Sequence, residues 1–188
     1  MTLRRGFRTE AERLAAQVRT GAGLRAFDPI DIRALADHSG VGVVSADELI
    51  DIARLHELEA IQSFSFSACT FDVDGSKVIV ISPLRSASRQ NSDIAHELSH
   101  ILLSHEMTEV REIAGVLFRT CRSDQEQEAT TLGGTLMLPR PLLLHAVRQG
   151  MDIPGIAKTY NVTVEMARFR YNTTGVAKQV RRAAGRST

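Results

Sequence analysis

The chain has 188 residues, of which 43% are hydrophobic and 24% charged, and its formal net charge is +1. This length suits one domain with a substantial core, and the ordinary apolar content argues against intrinsic disorder. No apolar run approaches the roughly 18 residues that cross a bilayer, and the basic N-terminus lacks the apolar stretch of a secretory signal. The two cysteines lack C-x-x-C spacing and predict no disulfide framework, which favours a cytoplasmic protein.

The first third of the chain predicts helices around one short strand. Residues 7–18 and 28–39 show helical apolar spacing, and residues 41–44 are predicted as a short strand. Ser45 begins an S-x-x-E capping box, which predicts one continuous helix as far as Ile61.

The hydrophobic period then changes to that of a β-hairpin. Larger and smaller or polar residues alternate from Phe64 to Thr70, as on a half-buried strand. Asp74-Gly75 is a strong two-residue hairpin signal, and residues 77–82 are predicted as the returning strand.

The second half of the chain is predicted to be mainly helical. Residues 92–104 and 124–138 form two helices, separated by a charged, mixed stretch over residues 106–122. Further helices follow, with a breaker at Gly150 and a turn near Asn161. The predicted fold class is therefore α+β, with a small antiparallel sheet beside several helices.

One motif is typical of a metal-binding helix. His96, Glu97 and His100 form the pattern H-E-x-x-H. Positions i and i+4 of a helix lie on the same face, so both imidazoles can reach one ion. Neutral imidazole suits zinc, and a catalytic zinc lowers the pKa of its water to about 7. Glu97 is then placed to act as the general base.

A catalytic zinc commonly takes a third protein ligand, for which the sequence offers several candidates. The extended pattern H-E-x-x-H-x-x-G-x-x-H fails, because Leu103 replaces its glycine and Glu106 occupies the position of its last histidine. His105 lies one residue before that position and would point to a different face if the helix continued. Glu126 and Glu128 lie on different faces of the following helix, so only one of them can be the ligand. Ser123 gives Glu126 a rival explanation as the acceptor end of a capping box, and the residues alone leave the choice open.

Several stretches of the chain resemble the ImmA/IrrE family of zinc metallopeptidases. They are, in chain order, GFRTEAERLAAQVR, VIVISPLRSASRQNSDIAHELSHILLSH, EQEATTLGGTLMLP and YNVTVEMARFRYNTTG. In that family the glutamate three residues before the alanine of the third stretch is a zinc ligand, which implies Glu126 here. The chain departs from the family pattern at Thr130, Leu132 and Gly133-Gly134, and each glycine would weaken its helix by roughly 1 kcal/mol relative to alanine.

The resemblance implies a zinc endopeptidase with a zincin-like helical core, whose substrates are transcriptional repressors of the XRE helix-turn-helix type. Cleavage of such a repressor turns on stress, DNA-damage or mobile-element genes. His145 and Tyr160 are candidates, by residue type only, for stabilising the oxyanion. A peptide substrate could add to the strand of residues 77–82 if it lies at a sheet edge, whereas a core strand would exclude this.

The C-terminal part predicts a second unit. A metallopeptidase domain is expected over residues 1–140, and a helical segment with a basic tail over residues 141–188. Within it, residues 156–168 are similar to DNA-binding helix-turn-helix units, and Arg168 and Arg170 lie on the second helix. This segment either packs on the catalytic core or contacts the repressor or DNA. Two rival functions follow, a non-catalytic repressor-binding adaptor and a DNA-binding regulator.

Overall fold

A computed structural model describes residues 3–63, 66–106, 109–113 and 116–184. The helices in these ranges are α1 (Phe7–Gly21), α2 (Ile32–His38), α3 (Ile52–Ile61), α4 (Ala87–Leu102), α5 (Ser123–Met137), α6 (Arg140–Arg148), α7 (Ile153–Thr159), α8 (Val164–Thr174) and α9 (Val176–Ala184). The strands are β1 (Val41–Ser45), β2 (Ala68–Val73), β3 (Ser76–Ile81), β4 (Glu109–Ile113) and β5 (Val116–Thr120). The α+β class is confirmed. Within the described ranges, no helix combines the length and apolar character that a membrane span requires.

The first helices of the chain lie close to where the sequence predicts them, with one exception. Both α1 and α2 form, but α2 begins at Ile32 rather than at Asp28, because the side chain of Asp31 caps it there. The prediction of one continuous helix after the capping box is wrong. Ser45 and Glu48 do form that box, but they open only a single 3-10 turn. Asp51 then caps α3 separately, because its side chain accepts a hydrogen bond from the backbone N–H of Ala53.

The three-stranded sheet has the order β1-β3-β2 and is mixed. The predicted hairpin is confirmed, since β2 and β3 pair antiparallel and Asp74 and Gly75 have φ values of 51° and 82°. β1 instead pairs parallel with β3. After α3 the chain re-enters the sheet at the edge strand β2, and the hairpin then brings β3 back between β2 and β1. β3 is thus the central strand, so a peptide cannot add to it. Among the residues that the structure describes, β2 is the edge strand on the hairpin side.

A second hairpin, β4–β5, was not predicted from the charged stretch before α5. Its strands pair antiparallel from Glu109 opposite Thr120 to Ile113 opposite Val116. Charged residues interrupt the alternation of apolar residues there and conceal the strand period.

One apolar cluster forms the main core and fixes the position of α4 and α5. α4 contacts α5, α2, β2 and β3, and α5 also packs on α1. Fully buried members of the cluster are Phe7, Ile32, Leu35, Ile79, Ile81, Ile94, Leu98, Leu132, Leu136 and Leu142. Burial of each such large side chain contributes about 1.5–3 kcal/mol, so the two helices are held firmly against each other.

The C-terminal helices are separated at the predicted breakers. Gly150 follows α6 with a φ of 79°, and Asn161 lies between α7 and α8 with a φ of 48°. α8 packs against α5 and α7, and α9 packs against α6. Of these helices, α8 therefore contacts the helix that carries Glu126.

Candidate metal centre

The two histidines of the H-E-x-x-H motif lie on one face of α4, and α5 brings a glutamate to them. The Nε2 atoms of His96 and His100 are 3.1 Å apart. Glu126 places one carboxylate oxygen 3.1 Å from the Nε2 of His96 and the other 3.5 Å from that of His100. One ligand atom from each residue lies within 4.8 Å of the others.

This donor set fits a zinc ion. Ligand atoms at about 2.0–2.1 Å from a tetrahedral zinc lie about 3.3 Å from one another, close to the separations found here. Two imidazoles and one carboxylate are also the protein ligands of a common type of catalytic zinc site, which keeps a fourth position open. The arrangement can therefore hold a hydrolytic metal ion without a large rearrangement.

The close approach of α4 and α5 depends on a glycine. A Cβ atom on Gly133 would lie only 2.9 Å from the carbonyl oxygen of Ala95 and 3.1 Å from the backbone nitrogen of His96. Any larger residue would push α5 away from the part of α4 that carries the histidines. The glycine pair, which the sequence suggested would weaken α5, thus has a packing role at Gly133.

Glu97 is held beside the two histidines by a strand residue. The hydroxyl of Thr70 on β2 donates a hydrogen bond of 2.7 Å to the Oε2 of Glu97. Glu97 is half-buried and lines a cleft of about 530 Å³ together with His100 and Glu126. Sequence reasoning did not assign a role to Thr70, although the strand alternation had already placed it on one face with Ala68.

The walls of this cleft come from β2 and β3, from α4 and the residues that follow it, and from the start of α5. Cys69 and Cys121 both line it, and both are free thiols. Burial raises the pKa of each thiol to about 11. The negative charge of Glu97 adds to the shift at Cys69, and those of Glu126 and Glu97 add to it at Cys121. Both cysteines are therefore neutral at physiological pH.

His96, His100 and Glu126 form a triad, and the surroundings of Glu126 favour its ionised carboxylate. The close approach of the His100 and His96 imidazoles to its carboxylate holds the pKa of Glu126 well below its usual range. A carboxylate that stays ionised is the form that binds a metal cation. Of the two glutamates between which the residues left the choice open, Glu126 lies against the histidines.

Glu128 and His105 lie behind the triad. α4 ends in a Schellman motif, in which the backbone N–H of His105 donates to the carbonyl of His100 and Ser104 adopts a φ of 52°. This turn folds His105 back, so that its Nδ1 is 3.0 Å from the Nδ1 of His100. The Nε2 of His105 is 3.3 Å from Glu128. Burial lowers the pKa of His105, which favours its neutral form.

The two oxyanion candidates lie elsewhere. His145 is exposed, and its ring packs beside that of Phe27 with a centroid distance of 5.8 Å. Tyr160 follows α7 and packs on the main core, where burial raises the pKa of its hydroxyl. Neither residue lines the cleft in the described structure.

The predicted basic surface of α8 is divided between the inside and the outside of the fold. Arg170 is 3% exposed, donates to the carbonyl of Leu138 and forms an ion pair of 2.5 Å with Glu12 on α1. Arg168 is exposed to solvent. Only Arg168 of this pair is free to contact a partner through its guanidinium.

The α+β fold and the H-E-x-x-H helix, with a glutamate supplied by the next helix, define a candidate site of the metallopeptidase class. A family model described as the IrrE N-terminal-like domain, Peptidase M78, matches residues 53–172. The chain belongs to this family, which confirms the resemblance seen in the sequence and supports a role related to metallopeptidases or regulators.

Comparison with individual proteins adds the fold alone. No curated protein matches the sequence. Among solved structures, the chain is similar to a Mycobacterium tuberculosis transcriptional regulator, with a TM-score of 0.59 and 16% sequence identity. The match covers 88% of this chain and 47% of the regulator, so the chain spans about half of that protein's length.

Proposed function

We propose that the protein is a zinc-dependent endopeptidase that cleaves a transcriptional repressor. The observation that carries this proposal is the convergence of His96, His100 and Glu126 within 4.8 Å, with Glu97 beside them on the same cleft. The family membership supports hydrolysis as the reaction class.

In this proposal the chain's own residues hold the metal and move the protons. His96, His100 and Glu126 would hold zinc, which supplies a Lewis acid and a water of lowered pKa when bound. Glu97 accepts the proton of the attacking water and passes it to the leaving amine. Thr70 keeps the carboxylate of Glu97 directed into the cleft through its hydrogen bond.

The substrate path that we propose follows β2. This edge strand contributes Ala68, Cys69 and Thr70 to the cleft, and a peptide that pairs with its outer side would pass the triad in an extended conformation. Hydrogen exchange should then show new protection of β2 amides when an uncleaved peptide binds. Protection confined to other elements would exclude this path.

The proposed substrate is a repressor of the XRE helix-turn-helix type, as the family resemblance implies, and its cleavage would activate stress or mobile-element genes. We further propose a cytoplasmic location, which the two free thiols support because structural disulfides are rare in reducing compartments.

Zinc content and cleavage by three variants test the metal site and the reaction together. We expect about one zinc per chain in the wild type, strong loss of zinc in Glu126→Ala, and retention of zinc without cleavage in Glu97→Gln. A folded wild type that takes up no zinc would overturn the proposal. A Glu97→Gln variant that cuts a repressor at the wild-type rate would contradict the role of Glu97 as general base. A wild type that inactivates the repressor without cleaving it would favour the non-catalytic adaptor.

A DNA-binding regulator is the second candidate. It rests on the two consecutive helices α7 and α8, joined at Asn161, and on the exposed Arg168. Such binding should weaken steeply with salt and persist after zinc removal. The absence of a DNA complex even at low salt would exclude it.

A further inference from the structure

We propose that His105 and Glu128 are positioning residues, which fix the tautomer and the ring orientation of His100 so that its Nε2 faces the metal. This inference rests on the proposed zinc site and assigns a task to two residues outside the ligand set. Three hydrogen bonds in series carry it, and they connect His100 to Arg4 near the start of the chain.

Glu128 accepts the hydrogen bonds at one end of this series, and this determines which nitrogen of each histidine donates. Glu128 is a carboxylate that accepts a hydrogen bond of 3.1 Å from the Nε of Arg4 and lies 3.3 Å from the Nε2 of His105. Because an ionised carboxylate has no proton to donate, the Nε2 of His105 must carry the hydrogen. In a neutral ring the Nδ1 of His105 is then an acceptor.

The same reasoning fixes the next ring. The Nδ1 of His105 is 3.0 Å from the Nδ1 of His100, and two lone pairs cannot share a hydrogen bond. His100 must therefore donate through its Nδ1, which leaves the lone pair on its Nε2. That nitrogen is the one that faces His96 and Glu126. The series thus prepares His100 for metal binding.

Burial makes this arrangement hard to replace with water. The side chain of His105 is 6% exposed and that of Glu128 is 17% exposed. The Schellman turn at Ser104 also fixes the backbone of His105 against that of His100. The ring of His100 consequently has one firm partner on the side opposite the metal site, as is general for histidine ligands.

Two substitutions at one position separate positioning from packing. His105→Phe keeps a ring of similar size but removes the acceptor for His100. His105→Asn can place its amide oxygen near the former Nδ1 and so restores that acceptor in a smaller side chain. His145→Phe is the matched control, because it makes the same chemical change at an exposed histidine outside the cleft.

The measurements are zinc affinity, by competition with a chromophoric chelator, and the visible absorption spectrum of the cobalt-substituted protein. We expect His105→Phe to bind zinc about 10–100-fold more weakly and to alter the cobalt bands. His105→Asn should recover most of the affinity, and His145→Phe should match the wild type. Glu128→Ala should give an intermediate loss, since it releases His105 without removing its ring.

Three outcomes would overturn the inference. His105→Phe could bind zinc and cobalt as the wild type does, or His105→Asn could lose as much affinity as His105→Phe, which would indicate packing alone. A folded wild type without zinc affinity would overturn the proposed function, and the inference with it. That outcome is recognised in the wild type itself, before any variant is compared.

Discussion

At the scale of single residues, the lack of a side chain at Gly133 allows α4 and α5 to approach each other closely. We expect Gly133→Ala to lower the free energy of unfolding, because overpacking costs about 1–3 kcal/mol and exceeds the roughly 1 kcal/mol of helix propensity that alanine adds. Zinc affinity should fall with it, since the added methyl group presses on the backbone at Ala95 and His96. Urea unfolding and chelator competition measure the two effects.

Gly134→Ala is the control for this prediction. Its Cβ would meet a side-chain atom, the Cδ of Arg170 at 3.0 Å, rather than the backbone of α4. We expect a smaller loss of stability and little change in zinc affinity. A Gly133→Ala protein that is more stable than the wild type would show that the helix crossing can relax.

The thiols of the cleft give a prediction on pH dependence. A thiol pKa of about 11 means that the folded protein favours the neutral form, and that thiolate accumulates only as pH approaches 11. Relative to an ordinary cysteine, alkylation of Cys69 and Cys121 by iodoacetamide at neutral pH should be about 100-fold slower for lack of thiolate. Mass spectrometry after timed labelling tests this, with Cys69→Ser to assign the remaining signal. Fast labelling of both thiols in the folded protein at pH 7 would contradict it.

At the scale of elements, the ion pair between α1 and α8 ties the two ends of the chain together. Glu12 accepts from the buried Arg170 and from the backbone N–H of Arg140. Glu12→Ala leaves a buried guanidinium without its charge partner, which we expect to cost about 3–5 kcal/mol. Thermal and urea unfolding measure the loss.

Glu10 on the same helix provides the matched comparison. It pairs with Arg4, but both side chains are substantially exposed, at 38% and 58%. Glu10→Ala should therefore change stability by no more than about 1 kcal/mol. Equal losses of unfolding free energy in Glu12→Ala and Glu10→Ala would mean that the buried ion pair contributes no more to stability than the exposed one.

Local signals in the sequence account for most element boundaries, and each wrong prediction has a physical cause. The capping box at Ser45 was real, yet the cap at Asp51 restarted the helix six residues later. The sheet was expected to be antiparallel, but pairing of β1 with β3 depends on a crossover that no short-range pattern encodes. The β4–β5 hairpin was not predicted, because charged residues interrupt the alternation of apolar and polar residues in its strands.

At the scale of the whole molecule, the proposed metal site takes its ligands from two different helices, α4 and α5, so zinc should stabilise the fold. A ligand that binds only the folded state at 100 times its Kd adds about 2.7 kcal/mol. We expect zinc to raise the midpoint of thermal unfolding and a chelator to reverse the shift. Glu126→Ala should lose this response, and a Glu126→Ala protein with the full zinc-dependent shift would contradict the assigned ligand.

The division of the chain at residue 140 stays a proposal. Leu142, Ile156 and Val176 from the C-terminal helices belong to the same buried cluster as Ile94 and Leu132. The C-terminal segment therefore shares its core with the helices that carry the candidate metal ligands.

The sequence by itself determined the H-E-x-x-H helix and the β2–β3 hairpin, because these depend on residues close together in the chain. It also determined the family, because each of the stretches that resemble it is a short local pattern. Only the tertiary structure placed Glu126 against His96 and His100, and Glu128 behind His105, since the crossing of α4 and α5 sets which face of α5 meets the histidines. The same holds for Thr70 and Glu97, which belong to different elements. Contacts between distant segments depend on how the elements pack, and the local hydrophobic periodicity of the sequence does not predict them.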